Sequence, residues 1–423
     1  MTSLRRCSII PPYVLVRLAR AEPSLAEAVE FALRDSMTVR HRRELTATRW
    51  PGGRPGGNGI IAWPLQRRAQ TSPEEPEPVV PERAVAEPLV PEGAAPHRTV
   101  HDAQHGTTLP GVLVRGEGQE PSGDAAVDQA YDGLGATWDL LAEVYGRDSL
   151  DGQGLPLVAT VHYARDYDNA FWDGQQMVFG DGDGVYFNGF TQSVDVIGHE
   201  LAHGLTQYTA GLTYVGQSGA LNESASDVWG SMVRQRVLGH TVEQADWLVG
   251  AGVFTDRVQG EALRSMKAPG TAYDDPVLGK DPQPATMADY VVLPHDADHD
   301  NGGVHINSGI PNHAFYLFAT ALGGYSWERA GQVWYDTMTT RGLIPRDVGF
   351  AGFAAATLTC AAARYGEGSE VGSALRTAWE QVGVEPADVG APPAEGEPPT
   401  PGEPPTPGEP PAGGGPTDPW PGP

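Results

Sequence analysis

The sequence predicts an α+β protein of two lobes, a strand-containing N-terminal lobe followed by a mostly helical C-terminal lobe. Three observations predict it. Strand and helix patterns mix up to about Phe190, and helical patterns dominate after it. The 423 residues are 40% hydrophobic and 19% charged, enough for a sizeable core. Of the 38 prolines, 24 lie in two stretches outside that body, 51–96 and 387–423.

Residues 1–50 form a first unit. Residues 1–70 carry 12 arginines and no lysine against 5 acids, a balance of +7 in a chain whose net charge is −26. This basic segment can dock on the acidic body. The run Leu25 to Leu33 has amphipathic spacing and predicts a short helix. Pro11-Pro12 interrupts the first apolar stretch, Arg17 and Arg20 end it, and no A-x-A pattern follows. No secretory signal is therefore expected, and the location is expected to be cytoplasmic or reached by a non-classical route.

Residues 51–96 are rich in Pro, Gly and Glu and read as a flexible linker open to proteolysis. A lobe over 97–215 follows. Asp124 to Tyr145 has helical spacing, with Val127, Tyr131, Leu134, Trp138 and Leu141 on one stripe. Leu155 to Tyr163 alternates and is β-branched, so it reads as a strand. Short strands and Gly/Asp turns continue to Phe190, and then Val194, Ile197, Leu201 and Leu205 mark a helix with Gly211 as its stop. A second lobe spans 216–386, where Gly349 to Tyr365 and Ser369 to Val382 read as helices. Residues 387–423 repeat Gly-Glu-Pro-Pro-Thr-Pro, a composition that favours extended conformations and disorder.

Composition excludes several classes. The acidic balance argues against nucleic-acid or anionic-membrane binding. No apolar run approaches a membrane span. Cys7 and Cys360 are too few for a disulfide scaffold or a cysteine zinc finger.

The chemistry concentrates at His199-Glu200-Leu201-Ala202-His203. Positions i and i+4 of a helix share a face, so both imidazoles can reach one metal, with Glu200 beside them. Two histidines on a helix can be incidental, but Asn222-Glu223-Ser224-Ala225-Ser226-Asp227 argues otherwise. A catalytic zinc needs three protein ligands and an open position. Glu223 can supply the third ligand, and Asp227, one turn on, can accept a hydrogen bond from a ligand imidazole.

These segments, with Gly302-Gly303-Val304-His305-Ile306-Asn307-Ser308-Gly309, Asn169-Ala170-Phe171-Trp172, Gly180-Asp181-Gly182-Asp183-Gly184 and Leu263-Arg264-Ser265-Met266, resemble the thermolysin-like zinc metallopeptidases in content and order. The resemblance covers roughly residues 97–386. The N-terminal Cys7-Ser8-Ile9-Ile10-Pro11-Pro12-Tyr13 resembles the short propeptide of the protealysin-like branch.

The resemblance implies a thermolysin-like fold with the active site between the lobes. It implies one catalytic zinc held by His199, His203 and Glu223, and Glu200 as general base. His305 and Tyr214 would stabilise the oxyanion, with Asp300 orienting His305. Asn222 and Asp227 would support the ligands. Asn169, the Ala170 carbonyl and Arg264 would align the substrate backbone. Phe187, Val196, Val249, Val253 and Leu263 would form an apolar pocket for the side chain after the scissile bond.

Relatives often hold two calcium ions. Asp195 and Asp246 match two of those ligands, but Arg234, Leu248 and Ala251 stand where carboxylates are expected. The double calcium site is expected to be lost, since calcium needs six to eight oxygens, and a single calcium elsewhere stays open. His295 and His299 read as part of a solvated acidic loop.

The function expected is a monomeric zinc endopeptidase made as a zymogen. It would cleave proteins and peptides on the amino side of bulky apolar residues. Residues 1 to about 85–96 would be an inhibitory propeptide, cut off in the linker. Pro11-Pro12-Tyr13 would lie in the cleft as a stiff, extended tripeptide. The Cys7 thiolate, just ahead, is a candidate fourth zinc ligand, a buried structural thiol being the other reading. Two alternatives are a catalytically inactive binding protein on the same fold and a zinc aminopeptidase.

Overall fold

The computed structural model describes residues 8–35, 90 and 92–387. Cys7, most of the 51–96 linker and the tail from 388 lie outside the described residues. Among the described residues, no helix is long and apolar enough to cross a membrane.

The N-terminal segment starts extended and turns helical at Pro12. Helix α1 spans Pro12–Ala21 with Pro12 at its first helical position, where the missing N–H has no intrahelical partner to lose. This corrects the extended Pro11-Pro12-Tyr13 tripeptide, because only Pro11 keeps extended dihedrals. Helix α2 runs over 26–35, close to the amphipathic run expected at 25–33.

The first lobe is built on a five-stranded mixed sheet of order β2-β1-β3-β5-β4. Its strands are β1 (Arg98–Asp102), β2 (Val112–Gly116), β3 (Leu157–Val161), β4 (Ala170–Trp172) and β5 (Met177–Phe179). β1, β3 and β5 run parallel, and β2 and β4 pair antiparallel at the two edges. Helix α3 (Ala125–Asp139) packs on β1 and β3. The Asp124 carboxylate caps it, accepting from the Ala126 and Val127 N–H groups, and Leu140–Val144 extends it in wider turns.

β4 positions the cleft. Asn169 O accepts from Gly180 N and Asp173 N donates to Gln176 O, so alternate residues 169, 171 and 173 face β5. Ala170 and Trp172 therefore point their backbone groups outward, into the cleft.

Helices α4 (Val194–Tyr208) and α5 (Gly216–Leu238) form the floor. α4 ends as expected near Gly211, which at φ +61° donates to Thr206 O at 2.7 Å. The two helices touch backbone to backbone. A Cβ built on Gly230 would lie 2.3 Å from Asp195 O and 3.1 Å from His199 N, and one on Gly198 would lie 3.1 Å from Gly230 Cα.

The second lobe adds α6 (Asp300–Asn307), α7 (Gly309–Leu322), α8 (Arg329–Thr339), α9 (Phe350–Tyr365) and α10 (Glu370–Gln381). Its core centres on Trp334, whose ring meets Phe315, Phe318, Phe353 and Trp379 at centroid distances of 4.9–5.9 Å. α6 opens with four left-handed residues, Asp300, Asn301, Gly302 and Gly303, at φ 52°, 52°, 90° and 74°. Asp and Asn tolerate this region better than other side chains, and glycine occupies it freely.

Replacing Gly230 with alanine pushes α4 from α5 at the turn that carries His199. Gly230→Ala is expected to cost about 1–3 kcal/mol of stability, as overpacking does. Denaturant unfolding and zinc content together check it, and an unchanged midpoint with full zinc would refute the contact.

Candidate active site

α4 and α5 bring together the three residues of the metal set. His199, His203 and Glu223 are buried, and their donor atoms all lie within 4.8 Å of one another. The two Nε2 atoms face each other at 3.1 Å, and a Glu223 oxygen stands 3.5 Å from each. Glu223 Oε2 is buried and accepts no hydrogen bond.

Outward tethers fix how the rings point. His199 Nδ1 meets Asp227 Oδ1 at 2.8 Å, and His203 Nδ1 meets Asn222 Oδ1 at 2.8 Å. Asn222 Oδ1 can only accept, so His203 donates from Nδ1 and turns its Nε2 lone pair inward. Two inward lone pairs and a carboxylate at such distances repel unless a cation lies among them. Two imidazoles and one carboxylate suit zinc.

The surroundings tune these groups. Burial alone would raise the Glu223 carboxyl, but the imidazoles of His305, His203 and His199 hold it well below the usual range. Asp227 is likewise buried, yet Arg264 and His199 hold it at about 2. Burial disfavours a charged His199, but Asp227 and Glu223 outweigh it and favour positive charge here, whether a proton or a bound cation.

Glu200 is fully buried one residue after His199, and its Oε2 accepts from the outward Trp172 N–H at 3.0 Å. Across the cleft, His305 Nε2 lies 3.5 Å from Glu223 and 3.3 Å from the Tyr214 hydroxyl. Tyr214 also donates a short bond to Glu223. Asp300 grips His305 twice, with Oδ2 accepting its backbone N–H at 2.8 Å and Oδ1 facing Nδ1 at 2.6 Å. The left-handed turn makes both bonds possible, because it folds Asp300 back over the following helix. Burial opposes a charged His305, but Asp300 and Glu223 outweigh it and raise its pKa.

Residues 8–10 occupy the cleft. His305 Nε2 lies 3.0 Å from Ser8 O. Ile9 N donates to Ala170 O at 3.2 Å, and Ile10 N donates to Asn169 Oδ1 at 3.1 Å. Arg264 Nη1 donates to Ile9 O at 3.2 Å, while its other nitrogens grip both Asp227 oxygens at 2.7 and 2.8 Å. Phe187, Val196, Val249, Val253 and Leu263 are all buried, as are Ile9 and Ile10. Pro11 and Pro12 lie beyond this stretch, and Tyr13 is buried within α1. Cys7 lies outside the described residues.

At the positions matching the relatives' calcium ligands, Arg234 pairs with Asp246 at 2.6 Å. Asp195 accepts from Ser193, from Val196 N and from Gly250 N. His299 pairs with Asp296 at 2.7 Å, and the His295 ring packs over Gly216 and Gly302. Among the described residues, neither histidine joins a metal-type cluster.

Sequence reasoning missed three partners. Asn312 donates to Asp227 Oδ2 at 2.8 Å, Ser226 Oγ lies 3.0 Å from His203 Nδ1, and Gln283 donates to His305 O at 2.8 Å. The signal for Asn312 was an amide in the apolar run Gly309 to Leu322, since a buried amide needs a partner.

Residues 95–207 match the family described as thermolysin metallopeptidase, catalytic domain, and residues 210–384 match its alpha-helical domain. An extracellular metalloprotease of Pectobacterium carotovorum subsp. carotovorum is 48% identical over 386 residues, 91% of this chain and 98% of its own. Protease PrtS of a Photorhabdus strain is 52% identical over 289 residues, 68% of this chain and 76% of its own. The solved precursor of protealysin, a metalloproteinase from Serratia proteamaculans, superposes with a TM-score of 0.69 at 46% identity, over 89% of this chain and 99% of its own. The extracellular names correct the expectation of a cytoplasmic location or a non-classical route. The matched domains, the chain-length relatives and the buried His-His-Glu set lead to one statement: the chain belongs to the thermolysin family of zinc metalloendopeptidases.

Proposed function

We propose that this endopeptidase hydrolyses internal peptide bonds on the amino side of bulky apolar residues, outside the cell, as a monomer, with its N-terminal segment as intramolecular inhibitor. The observation that carries the reading is the convergence of His199, His203 and Glu223 with Glu200 and His305 around one buried point.

His199, His203 and Glu223 would hold the zinc. Bound there, zinc supplies Lewis acidity to the scissile carbonyl and to the attacking water. Glu200 takes a proton from that water and returns it to the leaving nitrogen, its carboxylate aimed by the Trp172 N–H. His305 and Tyr214 stand where negative charge develops on the carbonyl oxygen, and Asp300 keeps His305 oriented. Asn169, Ala170 and Arg264 align the substrate backbone, and the apolar cluster around Val196 and Leu263 takes the side chain that follows the bond. A binding protein on this fold has no need of an intact base and oxyanion donors, which disfavours the inactive alternative. The match of both domains to thermolysin metallopeptidases disfavours an aminopeptidase.

The segment 8–35 supports latency by covering the cleft, and cleavage within 51–96 would release it. The Arg234–Asp246 pair supports loss of the double calcium site, because a guanidinium stands where carboxylate ligands are needed.

Glu200→Ala is expected to keep zinc and lose about 10²–10⁴-fold in kcat on casein-derived peptides. Metal analysis beside kinetics checks it, and near-normal turnover sinks the assignment. His305→Ala is expected to lower kcat by about 10²–10³-fold with little change in KM, as for a lost oxyanion donor. A rise confined to KM would instead make His305 a binding group. A calcium-selective chelator is expected to shift Tm by no more than about 2 °C, the equivalent of under 1 kcal/mol. A fall of tens of degrees would restore the calcium site.

A further inference from the structure

Residues 8–10 lie in the cleft with the direction and register of a substrate. The Ser8 carbonyl faces His305, the proposed oxyanion donor, at 3.0 Å. The next N–H, that of Ile9, is accepted by Ala170 O, and Arg264 holds the Ile9 carbonyl. Ile10 N is held by Asn169. Ile9, a bulky apolar residue with no exposed surface, sits just after the bond at the reactive point. Pro11 is too far along the chain to protect that bond.

We propose that the Ser8–Ile9 bond is itself a substrate, hydrolysed within the precursor by the site it covers. This rests on the roles assigned under the proposed function. The water oxygen bonds to the Ser8 carbonyl carbon and the C–N bond to Ile9 breaks. Glu200 carries a proton from the water to the Ile9 nitrogen, leaving a Ser8 carboxylate and an Ile9 amino terminus.

The clip does not open the enzyme, because the part after Ile9 is anchored separately. Arg17 donates to Leu278 O at 3.3 Å. The Glu22 carboxylate accepts from Tyr186 at 2.6 Å and Arg257 at 2.5 Å. The Asp35 carboxylate accepts from the Tyr163 and Tyr167 hydroxyls at 3.1 and 3.3 Å. These contacts keep Ile9 and Ile10 in the cleft after hydrolysis, so the clipped form stays latent until the linker is cut and α1 and α2 depart.

The test uses the zinc-loaded full chain incubated in ¹⁸O-water, read by intact mass and terminal sequencing. The expected result is first-order loss of residues 1–8 at a rate independent of protein concentration. Ile9 becomes the new terminus and ¹⁸O enters the Ser8 carboxylate. The clipped protein remains inactive on casein. Glu200→Gln stays whole, and Ile9→Asp slows the clip about 100-fold, the discrimination of an apolar pocket. Linker-trimmed enzyme from the Ile9→Asp precursor should still degrade casein, which shows that the variant folded. If trimmed enzyme degrades casein while Ser8–Ile9 stays intact in the precursor, the clip is overturned and the function stands. A rate that rises with concentration, or a cut at another bond, overturns it too. Trimmed enzyme without casein activity overturns the underlying function, and the clip with it.

Discussion

The backbone of α4 rests on the backbone of α5 at Gly198 and Gly230, and the active site depends on that contact. Glu223 and Asp227 have short side chains on one helix, and the two histidines project from the other. Only helices this close let Glu223 reach within 3.5 Å of both Nε2 atoms while Asp227 reaches His199 Nδ1 at 2.8 Å. A methyl group at either glycine would separate the donors before it altered any of them. The contact also explains why both helices are buried nearly all round, against the usual single apolar stripe.

Packing this tight confines charge, and the charges are arranged in a line. The Ile9 carbonyl is held by Arg264, Arg264 by Asp227, and Asp227 by His199. Asn312 fills the remaining Asp227 lone pair. A buried carboxylate with a partner removed costs about 3–5 kcal/mol, so each member needs the others. The hold on the chain in the cleft and the orientation of the His199 ring are thus parts of one network.

Much of this was legible before any coordinates. His199, Glu200, His203 and Glu223 are local patterns on two helices, and the i, i+4 spacing carries three-dimensional meaning by itself. The stripe from Val127 to Leu141 located α3, and the β-branched run before Tyr163 located β3. What stayed hidden depended on distant partners. β1 and β2 are short, and three of five β2 residues are exposed, so neither shows clean alternation. Pro12 carried a readable signal for a helix start that the neighbouring Pro11 masked. The left-handed turn at Asp300 to Gly303 was visible only as a Gly pair, since its use, folding Asp300 onto His305, is a tertiary fact.

β4 is the edge of a sheet, and sheet edges invite pairing with other chains. This one has three residues, of which only Ala170 and Trp172 face outward. Glu200 already occupies the Trp172 N–H. A visiting strand therefore finds only the outward carbonyls of Ala170 and Trp172, and must draw the rest of its hold from Asn169, Arg264 and the apolar pocket. An intact sheet from another molecule cannot meet those side chains, whereas a single unfolded strand can. The shortness of this one strand thus leaves little backbone at the cleft edge for another sheet to extend, so side chains rather than a long ladder must hold whatever lies there.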